Sequence, residues 1–122
     1  MFDLSTGASA MTDKLLILTT VDKEELAEKI AVALVERNLA ACVNMLPLGV
    51  SIYRWKEKVC RDRECILFIK TSAHLFNEVR DTIRELHTYE LPDVLALPIS
   101  VGEEKVLDWM TASVKPKPGQ PG

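Results

Sequence analysis

Ala41 to Lys56 read as a single extended stretch, bent only at Pro47-Leu48-Gly49. At ~3.3 Å per residue such a stretch reaches roughly 50 Å, whereas a common strand covers ~17–20 Å. One small sheet cannot pair that length. The overhang exposes backbone N–H and C=O groups and apolar side chains, and a neighbouring subunit relieves that exposure by pairing with it. The stretch therefore predicts an oligomer.

The elements around it have clear periods. Lys14 to Val21 is a continuous apolar, β-branched run, which predicts a strand buried on both faces. Asp22, with Glu25 three residues later, has the form of a capping box. Behind it Leu26, Ile30, Ala33, Leu34 and Arg37 recur at helical spacing, and Asn38 supplies a left-handed stop. The charged segment Glu57 to Arg63 predicts a hairpin connection into a second strand, Glu64 to Thr71. Ser72 can cap a second helix whose apolar stripe is Leu75, Phe76, Val79, Ile83 and Leu86. Val94 to Ile99 predicts a last strand, and Pro98, lacking an N–H, places it at an edge or a strand end. Ser100 to Glu103 predicts the cap of a short final helix carrying Val106, Leu107 and Trp109.

The order β-α-β-β-α-β plus a C-terminal helix defines an α+β chain of the ferredoxin-like split βαβ plan, with two helices on one face of an antiparallel sheet. The folded unit is expected over residues 13–114. Residues 1–12 are small and polar and predict a flexible extension. Residues 115–122, rich in Pro and Gly, predict a disordered or loosely attached tail.

A net charge of −3 over 122 residues lacks the basic footprint of a nucleic-acid binder. No secretory leader is legible at the N-terminus, and the longest uncharged run, Leu39 to Tyr53, is too short and too interrupted for a membrane span. Cys42, Cys60 and Cys65 form an odd set without a C-x-x-C pair, which fits a reducing, cytoplasmic address. No Gly-rich phosphate loop and no Ser/His/Asp or Cys/His set stands out, so the chain reads as a non-enzyme. A small acyl-phosphate hydrolase, which the plan also accommodates, needs a phosphate-cradling turn with an Arg, and Thr19 to Lys23 contains none.

Two segments gather the chemistry. In the first, Tyr53, Trp55 and Lys58 form either an aromatic and cationic wall for a ligand or a subunit interface, where Tyr and Trp are favoured. In the second, His87, Tyr89, Glu90 and Asp93 follow a helix exit. They either coordinate a divalent transition metal, or His87 simply neutralises the helix C-terminus. Cys42 reads as a buried structural thiol or a soft copper ligand. Cys60 and Cys65 flank the charged connection and read as exposed thiols. Lys70 meets an anion at the following helix start or pairs with a carboxylate. His74 reads as a solvated surface residue.

Read together, Ala40-Ala41-Cys42-Val43-Asn44-Met45-Leu46-Pro47, Ser51-Ile52-Tyr53-Arg54-Trp55 with Lys58, Phe68-Ile69-Lys70-Thr71, His87 with Tyr89-Glu90 and Pro92-Asp93, and the closing Leu107-Asp108-Trp109 resemble the CutA divalent-cation-tolerance family. The resemblance runs in order over about residues 14–112. It implies a ferredoxin-like subunit in a tight homotrimer, similar in architecture to the PII signalling proteins, with the long strands interlocking. It also implies a role in divalent-cation tolerance, with copper or another divalent cation bound and no established reaction. The metal candidates it carries across are His87, Glu90, Asp93 and Cys42. Tyr53, Trp55, Lys58, Lys70 and Tyr89 are carried across as ligand or interface residues. Thr88 stands where the family commonly has Pro, Asp93 where it has Glu, and Thr19-Thr20 where some relatives place a Cys. The alternative function is a PII-like sensor or adaptor that takes a small anion or a partner segment in an intersubunit cleft.

Overall fold

The computed structural model describes residues 9–120. In chain order these form β1 (Ser9–Val21), α1 (Glu24–Glu36), β2 (Cys42–Trp55), β3 (Lys58–Ser72), α2 (Phe76–Leu86), β4 (Leu95–Glu103) and α3 (Glu104–Ser113). A single 3-10 turn, Ala73–Leu75, leads into α2. The sheet is antiparallel throughout and ordered β2-β3-β1-β4, which is the ferredoxin-like arrangement expected from the element order.

Alternation decides where the core lies. Ile17 and Val21 of β1 and Leu67 and Ile69 of β3 point to one face, where they meet Ile30 and Leu34 of α1 and Val79 and Ile83 of α2. Each such side chain contributes about 1.5–3 kcal/mol by leaving water. Residues of the opposite parity fare differently. Leu16 and Leu18 are half-buried, and Leu95 and Leu97 of the edge strand β4 are exposed. The protomer therefore covers β1 fully on the face where α1 and α2 pack and only in part on the other, where Lys14 and its partner Ser72 are buried but Leu16 and Leu18 are half-buried. Among the described residues no helix is long and apolar enough to cross a membrane.

Several boundaries differ from the sequence expectation, and at Ser100 to Glu103 the reason is that ladder bonds displace local capping. Lys23, not Asp22, stands at the start of α1, and no side chain caps that helix. Ser100 to Glu103 continue β4, because Met11, Ala10 and Ser9 pair with Val101, Gly102 and Glu103. Residues 9–12 thus belong to the sheet and not to a flexible extension, while residues 1–8 lie outside the described residues. Asn38 does adopt the left-handed conformation (φ 58°), and the N–H groups of Leu39 and Ala40 both donate to the Leu34 carbonyl, at 2.9 and 3.1 Å. The start of the C-terminal tail is tied down. The Lys115 N–H donates to the Asn38 carbonyl at 2.9 Å, and the Lys115 and Lys117 ammonium groups pair with Glu78 and Asp13.

The long ribbon is present, and it is longer than expected. The charged residues 58–63 are strand, and the turn is the two-residue Lys56-Glu57, both at positive φ (50° and 70°), as a type I′ hairpin requires. Neither residue is the usual Asn or Gly, so the turn carries no sequence signal. β1 pairs with β3 only as far as Cys65, whereas the β2–β3 ladder continues from Gly49 opposite Glu64 to Trp55 opposite Lys58. This two-stranded ribbon overhangs the sheet and presents Leu48, Ile52 and Val59 at 85, 69 and 67 % exposure.

The ladder slips by one residue between Leu46 and Gly49, a bulge at the predicted bend. Glycine is required there for space: a Cβ on residue 49 would lie 2.7 Å from Ile66 Cδ1 and 2.8 Å from the Glu64 carbonyl oxygen. The side chain can rotate, but the carbonyl belongs to the ladder. Gly49→Ala is accordingly expected to lower stability by about 1–3 kcal/mol. Urea denaturation reads this as a lower midpoint at unchanged slope; an unchanged midpoint contradicts it.

Candidate ligand cleft

Strand alternation puts Ser51, Tyr53 and Trp55 on one face of the ribbon, and the cross-strand pairs Ser51–Asp62 and Gly49–Glu64 add two carboxylates to the same face. The loop after α2 faces them. His87 ends α2, its N–H donating to the Ile83 carbonyl at 2.8 Å. Its imidazole Nε2–H donates to the Thr20 carbonyl at 2.8 Å, and its Nδ1 accepts the Tyr89 N–H at 3.1 Å. A carbonyl only accepts and an N–H only donates, so this pair of partners specifies the neutral Nε2–H tautomer. The His87 and Tyr89 rings lie 4.4 Å apart, tilted by 43°. At the other end of the loop the Thr20 hydroxyl donates to Asp93 Oδ1 at 3.1 Å. The end of β1 therefore holds the loop at both His87 and Asp93.

Between ribbon and loop lies a cleft of about 420 Å³, lined by Thr20, Ser51, Tyr53, Trp55, Asp62, Glu64, Tyr89, Glu90, Leu91 and Asp93. The Tyr89 hydroxyl donates to Glu64 and the Tyr53 hydroxyl to Asp62. Glu64 is only 5 % exposed. No Lys or Arg lines the cleft, and the ion pairs among the described residues use other carboxylates. Four carboxylates thus surround one volume with no Lys or Arg among the residues that line it.

The phenols report that environment. The hydrogen bond to Asp62 pushes the Tyr53 hydroxyl up to about 12. Burial, followed by the bond to Glu64, raises Tyr89 further. Both remain neutral donors across the physiological range.

Of the residues singled out in the sequence, Tyr53, Trp55, Tyr89, Glu90 and Asp93 converge on this cleft. His87 lies behind it and orients the loop. Lys58 stands opposite Trp55 at the hairpin tip but does not line the cleft. Cys42 and Lys70 pair with one another at the far end of the β2–β3 ladder, the length of β2 away. Cys42 is half-buried, not fully buried. Cys65 is in the core, not exposed, and burial pushes its thiol up. His74 is not freely solvated, since its Nε2 lies 2.8 Å from the Lys115 carbonyl and its Nδ1 is buried. Asp62 escapes the sequence reading because residues 57–63 read as a turn, and Ser51, Glu64 and Thr20 escape it because only strand register and the loop contact bring them to one cleft.

A copper centre of imidazole and thiolate does not fit this arrangement. The His87 lone pair is engaged by the Tyr89 N–H and Cys42 is remote; among the described residues no three His, Cys, Asp or Glu groups, the cleft carboxylates included, converge closely enough to enclose a bare metal ion. The donors that remain are carboxylate and hydroxyl oxygens, which suit hard, hydrated cations.

The family described as CutA1 divalent ion tolerance protein matches residues 15–113. The divalent-cation tolerance protein CutA of Thermus thermophilus is 47 % identical over 94 residues, covering 77 % of this chain and 91 % of that protein. Human protein CutA is 43 % identical over 91 residues, 75 % of this chain and 51 % of that protein, so the chain spans about half the length of its human relative. Among solved structures, CutA1 from Oryza sativa superposes with a TM-score of 0.83 at 34 % identity, covering 86 % of this chain and 96 % of that one. The Thermus thermophilus structure gives 0.82 at 43 % identity, covering 84 % and 99 %.

Proposed function

Because the chain belongs to the CutA1 divalent ion tolerance family, we propose that it serves divalent-cation tolerance as a cytoplasmic homotrimer whose acidic cleft is the cation-facing surface. The observation that carries this reading is the ring of Asp62, Glu64, Glu90 and Asp93 around one cleft without a lining Lys or Arg. Glu90 and Asp93, exposed at the rim, would hold a hydrated divalent ion through oxygen, with Asp62 across from them. His87 would orient the loop and not ligate. The overhanging ribbon and the open face of β1 support the assembly, and three unpaired cysteines support a reducing compartment. No catalytic step forms part of the proposal.

The PII-like alternative, with a small anion held by Lys58 and Lys70, draws no support from these charges, since neither lysine lines the cleft and the carboxylates repel an anion. Calorimetric titration with Mn²⁺ separates the readings. Glu90→Gln with Asp93→Asn is expected to weaken Mn²⁺ binding by about tenfold or more, roughly 1.4 kcal/mol. Cys42→Ser is expected to leave the isotherm unchanged. Equal isotherms for all three proteins remove the cleft from cation binding.

A further inference from the structure

We infer that the aromatic side of the cleft is a receptor for an organic cation, an ammonium or guanidinium group held between the rings of Tyr53, Trp55 and Tyr89 and the carboxylates of Asp62 and Glu64. The inference rests on the acidic cleft proposed above but names a different occupant for its inner part. A bare metal ion gains from converging oxygens and little from rings. An alkylated cation uses both, because ring faces attract it electrostatically and its N–H groups satisfy carboxylates. The volume of about 420 Å³ is that of a small-molecule site.

Glu64 gives the strongest indication. It is 5 % exposed and lines the cleft. Its Oε2 accepts the Tyr89 hydroxyl, and neither of its carboxylate oxygens is a fully buried atom without a partner, so the group stays accessible from the cleft. A cation in the cleft would take the place of water on that carboxylate, and a charge-assisted hydrogen bond in a partly closed cleft is stronger than the one it replaces. Both phenols already direct their protons to Asp62 and Glu64, so towards the cleft they offer lone pairs and ring faces only. Asp62 is the first cause of the raised Tyr53 ionisation, and Glu64 adds to the burial that raises Tyr89. Trp55 also binds an ammonium within the chain itself: the Lys56 Nζ lies 5.7 Å from its ring centroid.

The required nitrogen cation has two sources, a free polyamine or the Lys or Arg side chain of another polypeptide. Trp55 and Trp109 are the two tryptophans of the chain, so Trp109→Phe in the full-length protein leaves Trp55 as the reporter. Spermidine and an acetylated, amidated Gly-Arg-Gly peptide are titrated separately at ionic strength held constant with NaCl. A saturable change in Trp55 fluorescence is expected, and Asp62→Asn and Glu64→Gln are each expected to weaken it about tenfold or more. Asp62 lies on the exposed ribbon, so its variant tests the site even where Glu64→Gln disturbs folding. Tighter spermidine assigns a free amine; a tighter peptide assigns a protein partner. A response matched by NaCl alone, or wild-type affinity in the Asp62→Asn protein, overturns the inference. Mn²⁺ calorimetry reads the metal proposal separately: amine binding without Mn²⁺ binding removes the metal reading alone, and the reverse removes this one alone.

Discussion

Ile52→Asp combined with Val59→Asp is expected to yield protomers that sediment near 13.7 kDa, whereas the wild type, as the proposed homotrimer, is expected at about three times that mass. The two positions lie on the ribbon face opposite the cleft, together with Val50, and are 69 and 67 % exposed in the protomer. Burying each against a neighbour is worth about 1.5–3 kcal/mol, and the gain recurs in every subunit. Aspartate removes that gain and adds the cost of desolvating a carboxylate without a partner. The helix-covered core contains neither residue, so the double variant should keep its helical circular dichroism. Unchanged sedimentation would show that the ribbon does not mediate assembly. A wild type that sediments as a protomer would remove the homotrimer altogether.

Tyr89→Phe is the second large effect. It deletes the hydroxyl that donates to the nearly buried Glu64 carboxylate, and hydrogen bonds to charged groups are worth about 1.5–3 kcal/mol. The loss has a pH signature. In the folded protein the Tyr89 hydroxyl ionises at higher pH than in the unfolded chain, where tyrosine titrates near ~10. Its contribution is therefore complete below pH ~10 and is lost as the pH rises from there towards the folded value. The stability difference between wild type and Tyr89→Phe should be constant from neutral pH to about 10 and shrink above it. With two tyrosines in the chain, tyrosinate absorbance checks the assignment: Tyr53 should titrate at about 12, and Tyr89 should stay silent while the fold persists. Equal stability at neutral pH, or tyrosinate from both residues near pH ~10 in the folded protein, would contradict the Glu64 contact.

Much of the architecture was legible because it is written in periods. The stripes of α1 and α2 and the apolar runs of β1 and β3 specify which faces meet, and Pro47 and Gly49 mark the bend. Capping was poorly legible. Asp22, Ser72 and Ser100 have the residue types of caps, yet Lys23 and Glu103 stand at the starts of α1 and α3, and Ser72 holds the N-cap of the 3-10 turn before α2 without a side-chain hydrogen bond. The hairpin was misplaced because Lys56 and Glu57 adopt positive φ without being Gly or Asn. Its misplacement also concealed Asp62, which with Glu64 completes the cleft.

Local order in the chain determined the element types, the split βαβ plan and an extended stretch too long for its own sheet, since each follows from side-chain spacing within a few residues. Tertiary structure alone decided the chemistry of the cleft. Residues 20, 53, 64 and 89 meet only through strand register and a loop held to Thr20, contacts between positions far apart in sequence. The same contacts engage both nitrogens of His87 and leave carboxylates facing the rings, because hydrogen-bond partners are assigned by position in space and not by neighbourhood along the chain.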